Sequence, residues 1–109
     1  MAAIYKILGQ SAPAATTEVD LYTVPSATDA IVSSVVVCNR GTASGTFRIY
    51  VAVAGASTDN KQYLVYDANC APKETITLTL GITLDATDEL RIYASSANFS
   101  FNAFGTEIS

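Results

Sequence analysis

Strict two-residue alternation, with no helical period between the runs that carry it, is the feature that most constrains this chain. In the run 46–54, Phe47, Ile49, Val51 and Val53 fall on one side and Arg48, Tyr50, Ala52 and Ala54 on the other. Residues 75–80 repeat the pattern, with Ile76, Leu78 and Leu80 inward and threonines outward. A strand sends successive Cβ atoms to opposite faces, whereas a helix would scatter these side chains around its circumference. The run 30–39 is rich in valine and isoleucine, whose branched Cβ suits a pleated surface. The segment 40–45, with Gly41 and Gly45, joins 30–39 to 46–54 and predicts a hairpin at the centre of an antiparallel sheet.

The remaining runs are shorter. Residues 3–8 set Tyr5 and Ile7 against Ile4, Lys6 and Leu8, and the run 18–24 is stopped by Pro25. A further run covers 63–67. Gly81 breaks the 75–80 run, and 82–84 read as its bulged extension. Leu90, Ile92 and Ala94 oppose Arg91, Tyr93 and Ser95, and the last run, 98–108, puts Phe99, Phe101 and Ala103 on one face. About eight short runs separated by turn residues predict an all-β chain folded as a single antiparallel β-sandwich, the jelly roll being one arrangement of that kind. The 109 residues make one domain. Residues 1–17 read as an N-terminal strand followed by a small-residue arm, 11–17, that orders on contact.

Charge narrows the function. The formal net charge is −4, and six Lys and Arg are scattered without a basic run, against a nucleic-acid partner. No apolar run approaches the ~20 residues needed to cross a bilayer, and the N-terminus lacks the charged start and apolar core of a secretion signal. The expectation is a soluble protein made in a cytoplasm, with Cys38 and Cys70 as free thiols. Charged residues reach 15%, against roughly 25% in an average soluble domain. So weakly ionised a surface predicts that part of it is covered by another chain.

Chemistry is scarce. There is no histidine, which removes the commonest general base and metal ligand and excludes a serine triad or a Cys–His pair. The acidic stretch Asp85, Asp88, Glu89 lacks the dense oxygen ligands of a calcium loop. These features predict no enzyme, no metal and no cofactor. Binding residues are better represented. Arg48 with Tyr50 is echoed by Arg91 with Tyr93, and arginine and tyrosine are enriched where partners bury a surface. These four and Tyr22 are the candidate interface residues. The polar loop 55–62 and the strand after it supply Asp59, Asn60, Lys61, Tyr63 and Tyr66 as candidate loop-binding residues.

Three segments in order carry a resemblance. Leu21-Tyr22-Thr23-Val24-Pro25 runs into 30–39, with Ser33-Ser34 and Cys38-Asn39. Residues 76–84 then lead to Ala86-Thr87-Asp88-Glu89-Leu90-Arg91-Ile92, and a phenylalanine-rich last strand ends at Glu107-Ile108. This order, over nearly the whole chain, resembles small β-sandwich virion proteins of tailed bacteriophages, in particular cyanophage cement or decoration proteins. The resemblance implies a structural component of the outer capsid surface, a homotrimer seated where capsomers meet and bound to the major capsid protein. It carries over no catalytic residue. The alternative within the virion is a tail or fibre module that binds host surface glycan through Tyr63, Tyr66 and the loop before them.

Overall fold

Two antiparallel sheets realise the alternation in a computed structural model that describes residues 2–109. The strands are β1 (Ala3–Ser11), β2 (Val19–Thr23), β3 (Asp29–Asn39), β4 (Gly45–Ala52) and β5 (Tyr63–Cys70). They continue as β6 (Thr75–Leu78), β7 (Ile82–Leu84), β8 (Glu89–Ala94) and β9 (Phe99–Ile108). Sheet I has the order β1-β9-β3-β6, with β7 also paired to β3, and sheet II has the order β2-β8-β4-β5.

Strand β9 runs along one edge of β3 from Asp29 to Asn39, so β6 and β7 share the other edge. They are one strand interrupted near Gly81, which sits at φ +61. Counted so, sheet I reads first-eighth-third-sixth and sheet II second-seventh-fourth-fifth. That interleaving is a jelly roll, and the sandwich expected from the sequence is what forms.

The predicted central hairpin does not form. β3 belongs to sheet I and β4 to sheet II, so residues 40–44 carry the chain over one end of the sandwich. The buried Asn39 organises that crossing. Its Nδ2 donates to the carbonyls of Ala43 and Cys70, and its Oδ1 accepts from the Gly41 amide. The two glycines serve close approach instead of a tight reversal. A Cβ on Gly41 would meet Asn98, and one on Gly45 would meet the Phe99 ring.

The core lies between the inward faces. Val32, Val35 and Val37 of β3 and Phe99, Phe101 and Ala103 of β9 face Phe47, Ile49, Leu90 and Ile92 of sheet II. The Phe47 ring sits 6.4 Å from Phe99 and 6.3 Å from Phe101. Each such large side chain contributes on the order of 1.5–3 kcal/mol by leaving water. Two predicted inward residues miss the core. Val53 is 75% exposed because the chain leaves β4 at Ala52 for a 3-10 turn over Val53–Gly55, and Leu80 is exposed beside the Gly81 break. The arm is also tied to the fold: Gly9 to Ser11 continue β1, Pro13 is buried, and the Thr16 amide donates to the Ala94 carbonyl at 2.8 Å.

Candidate functional site

Four of the five candidate interface residues meet on the outer face of sheet II. β4 and β8 are antiparallel neighbours in a register that sets Arg48 opposite Tyr93 and Tyr50 opposite Arg91. The sequence echo therefore becomes two crossed arginine–tyrosine pairs. Directly opposed residues of an antiparallel pair share a face, so all four project outward.

Most of that chemistry is used within the chain. Tyr50 is 2% exposed, although it points away from the core. Its hydroxyl donates to Glu18 at 2.8 Å, and the Thr58 hydroxyl donates to the same carboxylate oxygen. Arg91 is 7% exposed. Its guanidinium donates to Glu89 at 2.7 Å, to Asp20 at 3.1 Å and to the Ala56 carbonyl at 2.8 Å. The loop before β5 is thereby strapped over the sheet. The hydroxyl of Thr58 holds the Glu18 carboxyl below the usual carboxylate range against the opposing effect of burial, with Tyr50 adding to it.

Arg48 is arranged differently. Its guanidinium stacks 4.3 Å from the ring centroids of both Tyr66 and Tyr93, and Nε donates to Asp67 at 2.7 Å. Stacking and the ion pair together fix its plane. The loop candidates meet this cluster only in part. The Tyr63 ring lies 4.8 Å from both Tyr50 and Tyr66, which makes a row of three tyrosines. Tyr66 ends the row and is 59% exposed. Asp59 and Gln62 cap the short 3-10 helix Asn60–Gln62 reciprocally, while Asn60 and Lys61 face solvent. Tyr22 lies apart, buried, its hydroxyl donating to Glu107 at 2.6 Å. In the acidic stretch, Asp88 caps backbone amides of Ala54 and Asp85, and Asp85 caps that of Ala86.

The outer face of sheet I holds residues that the sequence reading did not single out. Cross-strand rows run Tyr5–Thr106–Ile31–Thr83, then Ile7–Phe104–Ser34, then Gln10–Asn102–Val36–Thr77. Tyr5 is 84% exposed, Ile7 51% and Ile31 40%. A shallow depression of about 540 Å³ lies among Tyr5, Ile7, Ser33 and Phe104. Asp29, opposite Ile108 at the end of the sheet, brings a carboxylate to the row beyond them, and Asp85 stands beside it. The signal was present in residues 3–8, which are apolar on both sides of the alternation while only one side can reach a core.

Both faces suit recognition by area, aromatic contact and directed hydrogen bonds. Comparison with known proteins returned no matching family model, no matching curated protein and no matching solved structure.

Proposed function

We propose that this chain is a structural protein of a bacteriophage virion: a capsid cement or decoration protein that associates with itself as a trimer and reinforces the outer capsid surface by binding the major capsid protein. The observation that carries this reading is the outer face of sheet I, broad, uncharged over most of its rows and set with exposed tyrosine and isoleucine. Contiguous apolar surface of that kind marks a protein–protein contact. A cement works by burying area on neighbouring shell subunits, repeated over every equivalent site, and requires a rigid body instead of a reacting group. The jelly roll is a frequent architecture for capsid and lectin domains, which supports the class of role but not the particular partner. The order of segments that resembles cyanophage decoration proteins supports the virion setting, with synthesis in the host cytoplasm.

Adding purified protein to expanded heads that lack it is the direct test. Saturable binding at many copies per head, with greater resistance of the heads to heat or osmotic shock, is the expected result. Heads that ignore the protein at saturating concentration would remove the reading. A second reading, a tail or fibre module for host glycan, draws on the exposed Tyr66 ring at the end of the Tyr50–Tyr63–Tyr66 row. Copy number per particle separates the two, with many copies expected for a cement and a few for a tail tip.

A further inference from the structure

Each sheet ends in two edges, and an edge is a row of backbone N–H and C=O groups without a partner. Three of the four edges are blunted by bulges, breaks or charge. β2 has five residues, carries Asp20 and shifts register between Asp20 and Tyr22. β5 shifts register twice against β4 and turns to φ +52 at Asp67. β6 and β7 have four and three residues and part at Gly81. β1 is different. Five consecutive rungs, Ala3 to Ile7, lie in unbroken register on β9, and the shift comes only beyond Ile7.

Ladder phase settles which groups are free. Ala2 and Ser109 exchange both backbone bonds, Ala2 N to Ser109 O at 2.6 Å and the reverse at 3.0 Å. Antiparallel pairs alternate between bonded and non-bonded. Ile4 and Lys6 therefore bond to β9, while Ala3, Tyr5 and Ile7 turn their N–H and C=O groups away from it. No other strand takes those groups among the described residues, because β1 ends the sheet. Apolar side chains flank the edge on both faces: Tyr5 and Ile7 stand exposed on the outer face and Ile4, 55% exposed, on the other. The single charge on β1 is Lys6, held by Glu107 at 3.1 Å, so it does not guard the edge as a free lysine would.

We propose that the free edge of β1 from Ala3 to Ile7 is a strand-addition site, at which an extended segment of another protein pairs antiparallel and continues sheet I by one strand. The edge specifies the partner. Donors and acceptors at a two-residue spacing match an extended backbone free of proline, and neither a helix nor a lone side chain can satisfy them. The segment's side chains alternate, one set beside Tyr5 and Ile7 and the other beside Ile4, which favours β-branched or apolar residues on both faces. Acidic residues are disfavoured by the net charge of −4 and by Glu107 next to the edge. A second copy of β1 would bring together two chains of the same sign and is the competing occupant. This site gives the capsid reading a mode of attachment and does not depend on it.

The probe is an end-capped nonapeptide of alternating valine and threonine with lysine at each end, titrated into the isotope-labelled full chain and read by amide hydrogen exchange. Slowed exchange is expected at Ala3, Tyr5 and Ile7, with no change at Ile4 and Lys6, whose amides already bond to β9. Contact through side chains alone would not produce that alternation. Ala3→Pro removes one outward donor and keeps the ladder to β9 and every exposed apolar side chain, so it should bind the peptide about tenfold more weakly. Ile7→Pro is the second such variant if the first does not fold, and Ile7→Thr, which keeps its N–H, should stay within about threefold of wild type. No binding at millimolar peptide, protection that ignores the alternation, or proline variants that bind like wild type would overturn the inference. So would protection without peptide that rises with the protein's own concentration, which makes a second copy the occupant. Heads are read with the same variants. Heads that take up wild type and Ala3→Pro equally retire this inference alone. Heads that ignore wild type retire the capsid reading alone, and the peptide then decides the strand-addition site.

Discussion

The Tyr50 hydroxyl lies 2.8 Å from Glu18 Oε1, joining the middle of sheet II to the residue that precedes its edge strand β2. Thr58 donates to the same oxygen, so one carboxylate holds the sheet, its edge and the loop above it. Glu18→Gln keeps the shape and removes the charge that strengthens both bonds. The expected loss is about 1–2 kcal/mol at neutral pH, read as a lower urea midpoint with an unchanged slope. Tyr50→Phe, which keeps the buried ring, should cost about 1 kcal/mol. A double variant costing no more than the larger single loss would show that the two residues act as one unit.

The acid limb of stability follows from the same geometry. Glu18 is held below the usual carboxylate range by Thr58 and then Tyr50, and Glu107 by Tyr22 and then Lys6, each against the opposing effect of burial. A carboxyl with a depressed folded pKa contributes stability that is present above the unfolded value of about 4.3 and is lost as pH falls through the folded value. Thermal midpoints should therefore stay level from neutral pH to about 5 and decline below about 4. Tyr22→Phe removes the larger cause of the Glu107 shift. Its deficit relative to wild type should narrow as the acid is increased, and a deficit independent of pH would rule out this linkage.

Much of the fold was legible and its wiring was not. Alternation in 46–54 and 75–80 is a local property, and Phe47, Ile49, Ile76 and Leu78 do face the core. β3 and β4 do not pair because both edges of β3 are taken, one by β9, whose Phe104 lies opposite Ser34 from 70 residues downstream, and the other by β6 and β7. Local sequence holds no trace of that choice. The arginine–tyrosine echo was visible, but only the antiparallel register of β4 with β8 crosses it, and only the loop over Tyr50 buries it. Tyr5 and Ile7 were visible as an alternating pair, yet which side of β1 faces outward depends on its partner β9.

Arg91 tests whether the strap over sheet II is structural. Its buried guanidinium donates to two carboxylates and to the Ala56 carbonyl, a fork that a lysine ammonium cannot reproduce. Arg91→Ala leaves Glu89 partly buried without its cation, and a loss of about 3 kcal/mol is expected. Arg91→Lys should recover less than half of it. Limited proteolysis supplies the second readout: cleavage between Val53 and Gln62 should appear in the alanine variant well before the domain unfolds.

Three glycines separate close approach from backbone conformation. A Cβ on Gly105 would lie 2.0 Å from the Ile31 carbonyl oxygen, and one on Gly9 would lie 2.1 Å from that of Leu21. Both obstacles are backbone atoms inside the sandwich and cannot rotate aside. Gly105→Ala and Gly9→Ala should each lose 2 kcal/mol or more, that is about 2–4 kcal/mol. Gly81 has open space around it and a φ of +61, so Gly81→Ala meets only the left-handed penalty of about 1–2 kcal/mol. Chemical denaturation of the three variants should rank Gly81→Ala as the mildest.

The two cysteines lie in different sheets, Cys38 on β3 of sheet I and Cys70 at the end of β5 in sheet II. Cys38 pairs with Thr75 and Ser100 in a row on the outer face and is partly exposed. Cys70 is fully buried, its Sγ donating to the Glu74 carbonyl at 3.6 Å, and burial pushes its thiol pKa up. A thiol reacts as its thiolate and only where reagent can reach it, so the two should titrate in separate phases. Cys38 is expected to label in the native state, a phase that Cys38→Ser abolishes. Cys70 is expected to label at the rate of unfolding, so its phase should quicken with denaturant while that of Cys38 barely changes. Rapid native labelling of Cys70 would mean that the end of the sandwich under Asn39 opens far more readily than its hydrogen bonds to Ala43 and Cys70 allow.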